Sequence, residues 1–355
     1  MGNTGQSRIA NLPALGGAAL ALAAAVLFGI STPLVQRVGV GMGALSTAAL
    51  LYAGAALLGA LVRKPVDREA ELRRSDLKRL VLTALFGAGV GPVALAWGLQ
   101  HSSGTSASLM LALEAVFTAL LARLLYREEM DRRVWMAMLL LFAGGVVLVL
   151  DRRFEAGAEF LGIVAVFGAT AAWGVDSTLS RALAERDPGQ VVLGKSIIGA
   201  GMTSALAWCF GEPAPRWQAA LALLAIGASG YGLSLRLYLL AQRAFGAART
   251  GSVFAFAPFI GAVIALVLGE RSATLGMALG AALMLAGVIL HLAEDHGHEH
   301  DHEELDHEHA HAHDDGHHNH AHNPMPTGSH SHRHHHEPLR HSHAHVPDVH
   351  HAHDH

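Results

Sequence analysis

The sequence predicts an all-α membrane protein of ten transmembrane helices, arranged as two inverted five-helix repeats and followed by a disordered tail. Three observations predict it: ten apolar stretches of membrane-spanning length, an internal repeat, and a histidine-rich C-terminal segment. Of 355 residues, 52% are hydrophobic and only 15% are charged, against about 25% charged in soluble proteins. This composition excludes a soluble enzyme and a nucleic-acid binder. A disulfide scaffold is also excluded, because Cys209 is the single cysteine.

The membrane domain is predicted from window length. A bilayer core about 30 Å thick is crossed by roughly 20 mostly apolar residues in a helix. The apolar run of the first window continues to Leu34, which is too long for a secretory signal, so we expect it to be retained. We number the ten windows as spans one to ten: 14–36, 42–62, 80–99, 105–126, 134–150, 160–181, 190–210, 217–240, 248–268 and 273–292.

The loops predict the orientation, because cytoplasmic loops of membrane proteins carry an excess of Lys and Arg. With the N-terminus in the cytoplasm, cytoplasmic loops hold 15 Lys and Arg and the opposite loops hold 5. Both termini are therefore expected to be cytoplasmic. The excess of Arg over Lys (22 to 3), with abundant Ala and Gly, is typical of a GC-rich bacterial genome. We expect a multi-pass protein of the bacterial inner (plasma) membrane.

The apolar region repeats itself at an offset of about 143–145 residues. Leu27–Thr32 of span one aligns with Ala172–Ser177 of span six, and Glu114–Ala119 of span four aligns with Ala257–Ala262 of span nine. Five spans per half is an odd number, so the two halves have opposite orientations. Inverted repeats of this kind are a transporter architecture, with the substrate site near the midplane between the halves.

Two segments also carry a family resemblance. Ser106–Leu121 resembles the fourth-helix signature of EamA-type carriers in the drug/metabolite transporter (DMT) superfamily, and Ala257–Glu270 is similar to the matching helix of the second half. The resemblance implies a ten-helix bundle around a central cavity lined by both halves, with no particular substrate. Two residues depart from the pattern: Ala115 replaces the usual proline after the glutamate, and Arg127 replaces a small residue.

Together these observations predict four parts of the chain. They are a cytoplasmic N-terminus (1–13), a first EamA repeat (14–150), a second EamA repeat (160–292) and a disordered cytoplasmic tail (294–355).

Polar residues inside the spans are the candidate site, because a charge in mid-membrane is costly and needs a reason. Glu114, the deepest, either binds a cationic substrate group or a coupling proton, or is a neutral packing residue. Asp176, Lys195 and Arg236 are predicted to form a gate or a permanent set of ion pairs, with Asp176 also a candidate substrate contact. The aromatic candidates for the cavity wall are Trp173 and Tyr231.

The tail is expected to bind metal ions. It holds 24 of the 26 histidines, carries a net charge of about −11, and shows no apolar periodicity that would build a core. Neutral imidazole suits Zn, Ni, Co and Cu. The alternative is a pH-responsive soluble segment, because imidazoles ordinarily titrate between pH 5 and 8. The alternating candidate ligands are His296, His298, His300, His302, His307, His309, His311, His313, His341, His343 and His345.

The sequence thus predicts a secondary-active transporter, not an enzyme, that exports a small metabolite by alternating access and requires no cofactor. Its partners would be the substrate, the lipid bilayer and transition-metal ions at the tail; no nucleic acid is expected, and a homodimer is left open. We expect an ion or substrate gradient to drive it. Two alternatives stay open: an exporter of Ni, Co or Zn whose tail collects or senses metal, and a metal-buffering or sensing membrane protein that does not transport.

Overall fold

The computed structural model describes most of the apolar region and four segments of the tail. Residues 1–10 of the N-terminus and the predicted ligands His296, His313 and His345 lie outside the described residues. The described residues are 11–62, 71–126, 130, 132–153, 158–183, 186–245, 247–270, 274–292, 297–302, 305–311, 330–336 and 339–344.

The apolar region is helical throughout the described spans, as its abundance of Ala and Leu favours. The single-helix spans are α1 (Asn11–Val38), α2 (Ala44–Leu61), α7 (Arg132–Arg153), α8 (Ala158–Ser180), α9 (Pro188–Cys209) and α14 (Leu275–Leu292). Four spans consist of two helices with an irregular junction: α3 (Leu77–Thr83) and α4 (Gly91–His101), α5 (Gly104–Met110) and α6 (Glu114–Tyr126), α10 (Trp217–Ile226) and α11 (Ser234–Phe245), α12 (Ala247–Phe254) and α13 (Ala257–Val267).

The predicted number of spans is matched in this described region. Nine of its helical stretches are long and apolar enough to cross a membrane, and span ten has a slightly shorter apolar stretch, Leu275–His291. The prediction of an all-α membrane domain is confirmed. We call the side of the bundle on which span one begins the N side, and the other the opposite side.

The packing repeats between the two halves. Span six packs on spans three and four as span one packs on spans eight and nine, and spans two and seven pack on each other, as do five and ten. Two glycines at aligned positions permit equivalent close approaches: Gly29 lies against Ile260, and Gly174 lies against Phe117. The two repeats are therefore related by an approximate two-fold axis, as the sequence repeat predicts.

The irregular junctions also repeat at the same offset. A π-helix occupies Ala84–Val90 in span three and Gly227–Leu233 in span eight, 143 residues apart. Span four is interrupted by a 3₁₀ turn, Leu111–Leu113, and span nine by a turn at Ala255 and Phe256. π-Helices are rare and frequently lie at functional sites. These breaks place irregular backbone in the middle of both halves, where the cavity is predicted.

The described parts of the tail form short strands. They are β1 (Gly297–His302), β2 (Leu305–His311), β3 (His330–His336) and β4 (Leu339–Ala344). β1 pairs with β4 and β2 with β3, both antiparallel. The alternation of histidine with other residues in these segments has the two-residue period of a strand. Disorder of the tail as a whole stays a prediction.

Candidate functional site

The candidate site lies where span six packs on spans three and four, and span seven packs on span three. Glu114 comes from span four, Asp176 from span six and Lys195 from span seven, and Glu114 is close enough to the other two for their charges to interact. The structure thus brings together three of the predicted site residues. Their roles in transport stay predictions.

Glu114 lies at the break in span four, as the first residue of α6. The Ser177 hydroxyl donates a hydrogen bond of 2.7 Å to its Oε1 atom, and the residue as a whole is half-buried. The aligned helix α13 begins at Ala257 and has Pro258 in its first turn. In α6, Ala115 takes the position of that proline. Because this hydrogen-bond donor is a neutral hydroxyl, Glu114 can still accept a proton or a cationic group.

Asp176 and Lys195 form a salt bridge in which Lys195 Nζ donates to Asp176 Oδ2. Both residues are buried, with 8% and 3% of their surface exposed. The Ser180 hydroxyl donates to the other carboxylate oxygen at 3.1 Å. Gly87 passes so close to Asp176 that a Cβ atom on it would overlap the carboxylate. The pair therefore balances its own charge inside the bundle.

Arg236 is separate from this pair, although the sequence grouped the three residues. Its guanidinium Nη1 donates a 2.7 Å hydrogen bond to the carbonyl of Val62, which caps α2 on the N side. The carbonyls in the last turn of a helix have no intrahelical partner, and a long arginine side chain can reach such a helix end.

Aromatic rings form a connected cluster beside the charged groups. The ring centroid of Phe28 lies 5.7 Å from Trp173, 5.8 Å from Tyr231 and 5.5 Å from Phe254. Two further contacts, 5.6 Å between Tyr52 and Tyr231 and 5.0 Å between Tyr238 and Phe254, extend it. We call these rings the aromatic cluster: Phe28, Tyr52, Trp173, Tyr231, Tyr238 and Phe254.

The π-helix of span three anchors two of these rings. In the π register Gly91 N–H donates to Phe86, and the next carbonyl, that of Gly87, would accept from residue 92. That residue is Pro92, which has no N–H. The Gly87 carbonyl accepts instead from the Tyr52 hydroxyl at 2.5 Å and from Trp173 Nε1 at 3.0 Å. Pro92 therefore leaves a backbone carbonyl free to accept hydrogen bonds from two rings of the cluster.

Sequence reasoning found Trp173 and Tyr231 but missed Phe28, Tyr52 and Phe254. The repeat held a usable signal for Phe28, because the alignment of spans one and six places it opposite Trp173. Tyr52 is the one aromatic residue in α2, which is a weaker signal. For Phe254 we find no signal in the sequence.

Spans one, four and nine are tied together on the opposite side. Glu270 Oε2 accepts from the Thr105 N–H at 2.9 Å and from its hydroxyl at 2.8 Å. Arg37 donates to the Leu268 carbonyl, and Gln36 Nε2 donates to the Ser102 carbonyl at 3.0 Å. These bonds border a cleft of about 210 Å³. Sequence reasoning missed this network, which closes the contact between the two halves on the opposite side.

Span seven also contains a motif that sequence reasoning overlooked. Gly189–Ser196 has the GxxxxGK[ST] spacing of a phosphate-binding loop. Such a loop cradles phosphates with backbone N–H groups that are free of helical hydrogen bonds. Here the segment lies within α9, and its lysine, Lys195, is paired with Asp176. The match is therefore coincidental, and the segment forms no phosphate-binding loop.

Metal ligands are sparse in the membrane domain. Across the described residues, no group of three or more His, Cys, Asp or Glu side chains could hold a metal ion. His101 is stacked on Trp97, and its Nδ1 lies 2.7 Å from the Trp97 carbonyl oxygen. In the tail, the backbone register pairs His298 with His343 and His300 with His341. Metal binding by the tail stays a prediction.

The sequence model of the EamA-like transporter family matches residues 15–150 and 160–293, which together cover both five-helix repeats. The chain belongs to the EamA-like transporter family. This EamA-like chain is therefore a multi-pass membrane protein of a transporter family, and the resemblance inferred from the sequence is confirmed.

Two known proteins are similar to this chain. An uncharacterized transporter of Methanothermobacter thermautotrophicus is 27% identical over 242 residues, covering 66% of this chain and 69% of the relative. A solved crystal structure is 20% identical, with a TM-score of 0.57, and covers 77% of this EamA-like chain and 96% of that chain. At this identity the solved structure supports the fold alone.

Proposed function

We propose that this protein is a secondary-active transporter that exports a small organic metabolite by alternating access. The observation that carries the proposal is Glu114, a half-buried residue in the middle of the bundle whose hydrogen-bond donor is the neutral Ser177 hydroxyl. A carboxyl in this setting binds a proton or a cationic group in exchange. Proton antiport is the coupling we propose, with both termini in the cytoplasm of a bacterial cell.

The two-fold related breaks support alternating access. The π-helices at Ala84–Val90 and Gly227–Leu233 face the site from both halves. In transporters built from inverted repeats, one repeat rocks against the other around a fixed midplane site. The bonds of Glu270 to Thr105 close the opposite side. In the proposed cycle these bonds break when the site opens to that side.

A metal exporter is the second candidate, and the tail favours it. The alternating histidines of the tail would collect Ni, Co or Zn in the cytoplasm. The membrane domain favours the organic substrate instead, since its described residues offer no group of three or more metal-binding side chains. We therefore propose the tail as a metal-binding accessory of an organic-metabolite transporter.

One experiment separates these candidates. Cells expressing the full chain, a chain ending at Ala293, or Glu114→Gln are challenged with Ni, Co, Zn and Cu. Metabolites in cells and medium, and total cellular metal, are then measured by mass spectrometry. We expect an organic solute to move from cells to medium with the full and shortened chains and not with Glu114→Gln. Metal content should follow the tail alone.

Two other results would contradict the proposal. A metal lowered by the full chain and restored by Glu114→Gln would establish a metal exporter. No solute that depends on Glu114, together with a tail-dependent metal content, would establish a non-transporting metal buffer. A proton-gradient uncoupler is the control for coupling, because export that persists in its presence would exclude proton antiport.

A further inference from the structure

The two halves contribute unequally to the central site. Spans three, four, six and seven form one side of it, and spans one, two, eight and nine form the other. Glu114, Asp176 and Lys195 all lie on the first side, which we call the polar wall. On the second side, the described Arg37, Arg236 and Glu270 lie toward the helix ends.

The internal repeat makes this asymmetry explicit. Residues that correspond in the two halves would occupy equivalent places around the approximate two-fold axis. The counterpart of Glu114 is Ala257, and the counterpart of Asp176 is Ser31. At the 143-residue offset, Lys195 corresponds to Tyr52. Each ionisable group of the polar wall therefore faces a neutral counterpart across the axis.

The second side instead carries most of the aromatic cluster, and we call it the aromatic wall. Five of the six rings belong to it, and only Trp173 comes from the polar wall. Trp173 lies one helical turn from Ser177 on the same face of α8, so the cluster adjoins the hydroxyl that holds Glu114. The rings of the aromatic wall are those of Phe28, Tyr52, Tyr231, Tyr238 and Phe254.

The charges on the polar wall do not cancel. Lys195 balances Asp176 within their salt bridge, and both are buried. Glu114 is half-buried and is bonded by the neutral Ser177 hydroxyl. A carboxylate without a counter-charge is costly in such surroundings. When Glu114 is ionised, the three groups together carry one net negative charge, which a bound cation can neutralise.

The aromatic wall has polar groups of its own. The Tyr231 hydroxyl is buried, and among the described residues the one side chain that interacts with it through a hydrogen bond is that of Ser31. The neighbouring Ser31 hydroxyl donates to the Phe28 carbonyl at 2.6 Å. Buried hydroxyls nearly always find a partner. The Tyr231 and Ser31 hydroxyls therefore form a small polar patch on the aromatic wall.

We propose that the central site selects an amphiphilic organic substrate with one protonated amino group. The amino group would lie against Glu114 on the polar wall, and the apolar part would lie along Phe28 and Tyr231 on the aromatic wall. Aromatic faces also attract an organic cation directly. This substrate class rests on the proposed transport function. We expect the central site to reject organic anions and metal ions.

Four probes test the proposal on the purified full chain by titration calorimetry. 2-Phenylethylamine has the charge and the ring, methylamine has only the charge, 2-phenylethanol has only the ring, and 3-phenylpropionate reverses the charge. We expect 2-phenylethylamine to bind at least about 10-fold more tightly than any other probe. Equal or tighter binding of 3-phenylpropionate would overturn the proposal.

Two variants assign the binding to the two walls. Glu114→Gln should weaken 2-phenylethylamine binding about 10- to 100-fold and leave 2-phenylethanol unchanged. Phe28→Leu should weaken it about 2- to 30-fold and spare methylamine, so it also tests the proposal if Glu114→Gln fails to fold. The matched control is Glu212→Gln, because Glu212 bonds Ser46 on the opposite side, away from the site. Amine preference retained in Glu114→Gln would overturn the proposal.

Solute counterflow in liposomes keeps this proposal distinct from the transport proposal. Glu114-dependent binding of 2-phenylethylamine without counterflow would contradict transport and leave the substrate class standing. Counterflow of 3-phenylpropionate without counterflow of the amine would contradict the substrate class and leave transport standing. We expect counterflow of 2-phenylethylamine in the full chain and in Glu212→Gln.

Discussion

The salt bridge between Asp176 and Lys195 gives a sharp stability prediction. Lys195→Met removes the positive partner from a pair whose residues are 3% and 8% exposed. Breaking a buried pair from one side costs about 3–5 kcal/mol, because the other charge is left uncompensated. The Ser180 bond to Asp176 survives and offsets about 1 kcal/mol. We expect a net loss of about 2–4 kcal/mol in the free energy of unfolding.

The assay is unfolding of the purified protein in mixed micelles. Asp176→Asn combined with Lys195→Met should recover most of the loss, because replacing both charges leaves no buried ion. Lys78→Met, at an exposed position, is the control and should change stability by less than about 0.5 kcal/mol. A double variant as unstable as Lys195→Met would refute the reasoning.

Three further predictions follow from close contacts. Gly87→Ala should lower the unfolding temperature far more than Gly201→Ala, because a Cβ on Gly87 overlaps Asp176 and one on Gly201 meets open space; equal effects in thermal unfolding would contradict this. Thr105→Val should cost about 1 kcal/mol by removing one hydrogen bond to Glu270, and in Glu270→Gln the same substitution should cost less, as a double-mutant cycle would measure. Tyr52→Phe should leave the Gly87 carbonyl to Trp173 alone and cost about 1–2 kcal/mol in the same unfolding assay; a neutral effect would argue against that bond.

The fold could be predicted from the sequence because its signals are local. Span length and the offset between Leu27–Thr32 and Ala172–Ser177 are properties of continuous segments, and they predict ten helices in two repeats. Glu114, Asp176 and Lys195 were found because a charge in an apolar helix is conspicuous. Their pairing was not predicted in full, because it depends on how each helix is rotated about its axis.

Arg236 and Glu270 show the limit of this reasoning. Sequence position grouped Arg236 with Asp176, yet the side chain reaches the carbonyl of Val62. Glu270 was read only as the end of a family segment, and its bond to Thr105 crosses between the halves. Both contacts depend on which helix ends meet in space. No spacing within a single span carries that information.

Two-sided accessibility of the central site tests the account most directly. The test uses a variant in which Cys209 is replaced by Ser and Thr118 by Cys, so that it has a single cysteine. Thr118 lies one turn from Glu114 on the same face of α6. Membrane vesicles are treated with a charged, impermeant thiol reagent from one side or the other, and the labelled fraction is measured by mass spectrometry. Alternating access predicts that the reagent labels the cysteine from each side. Reagent added to one side alone should, given time, label all of the protein. Labelling from one side only, or from neither, would contradict it.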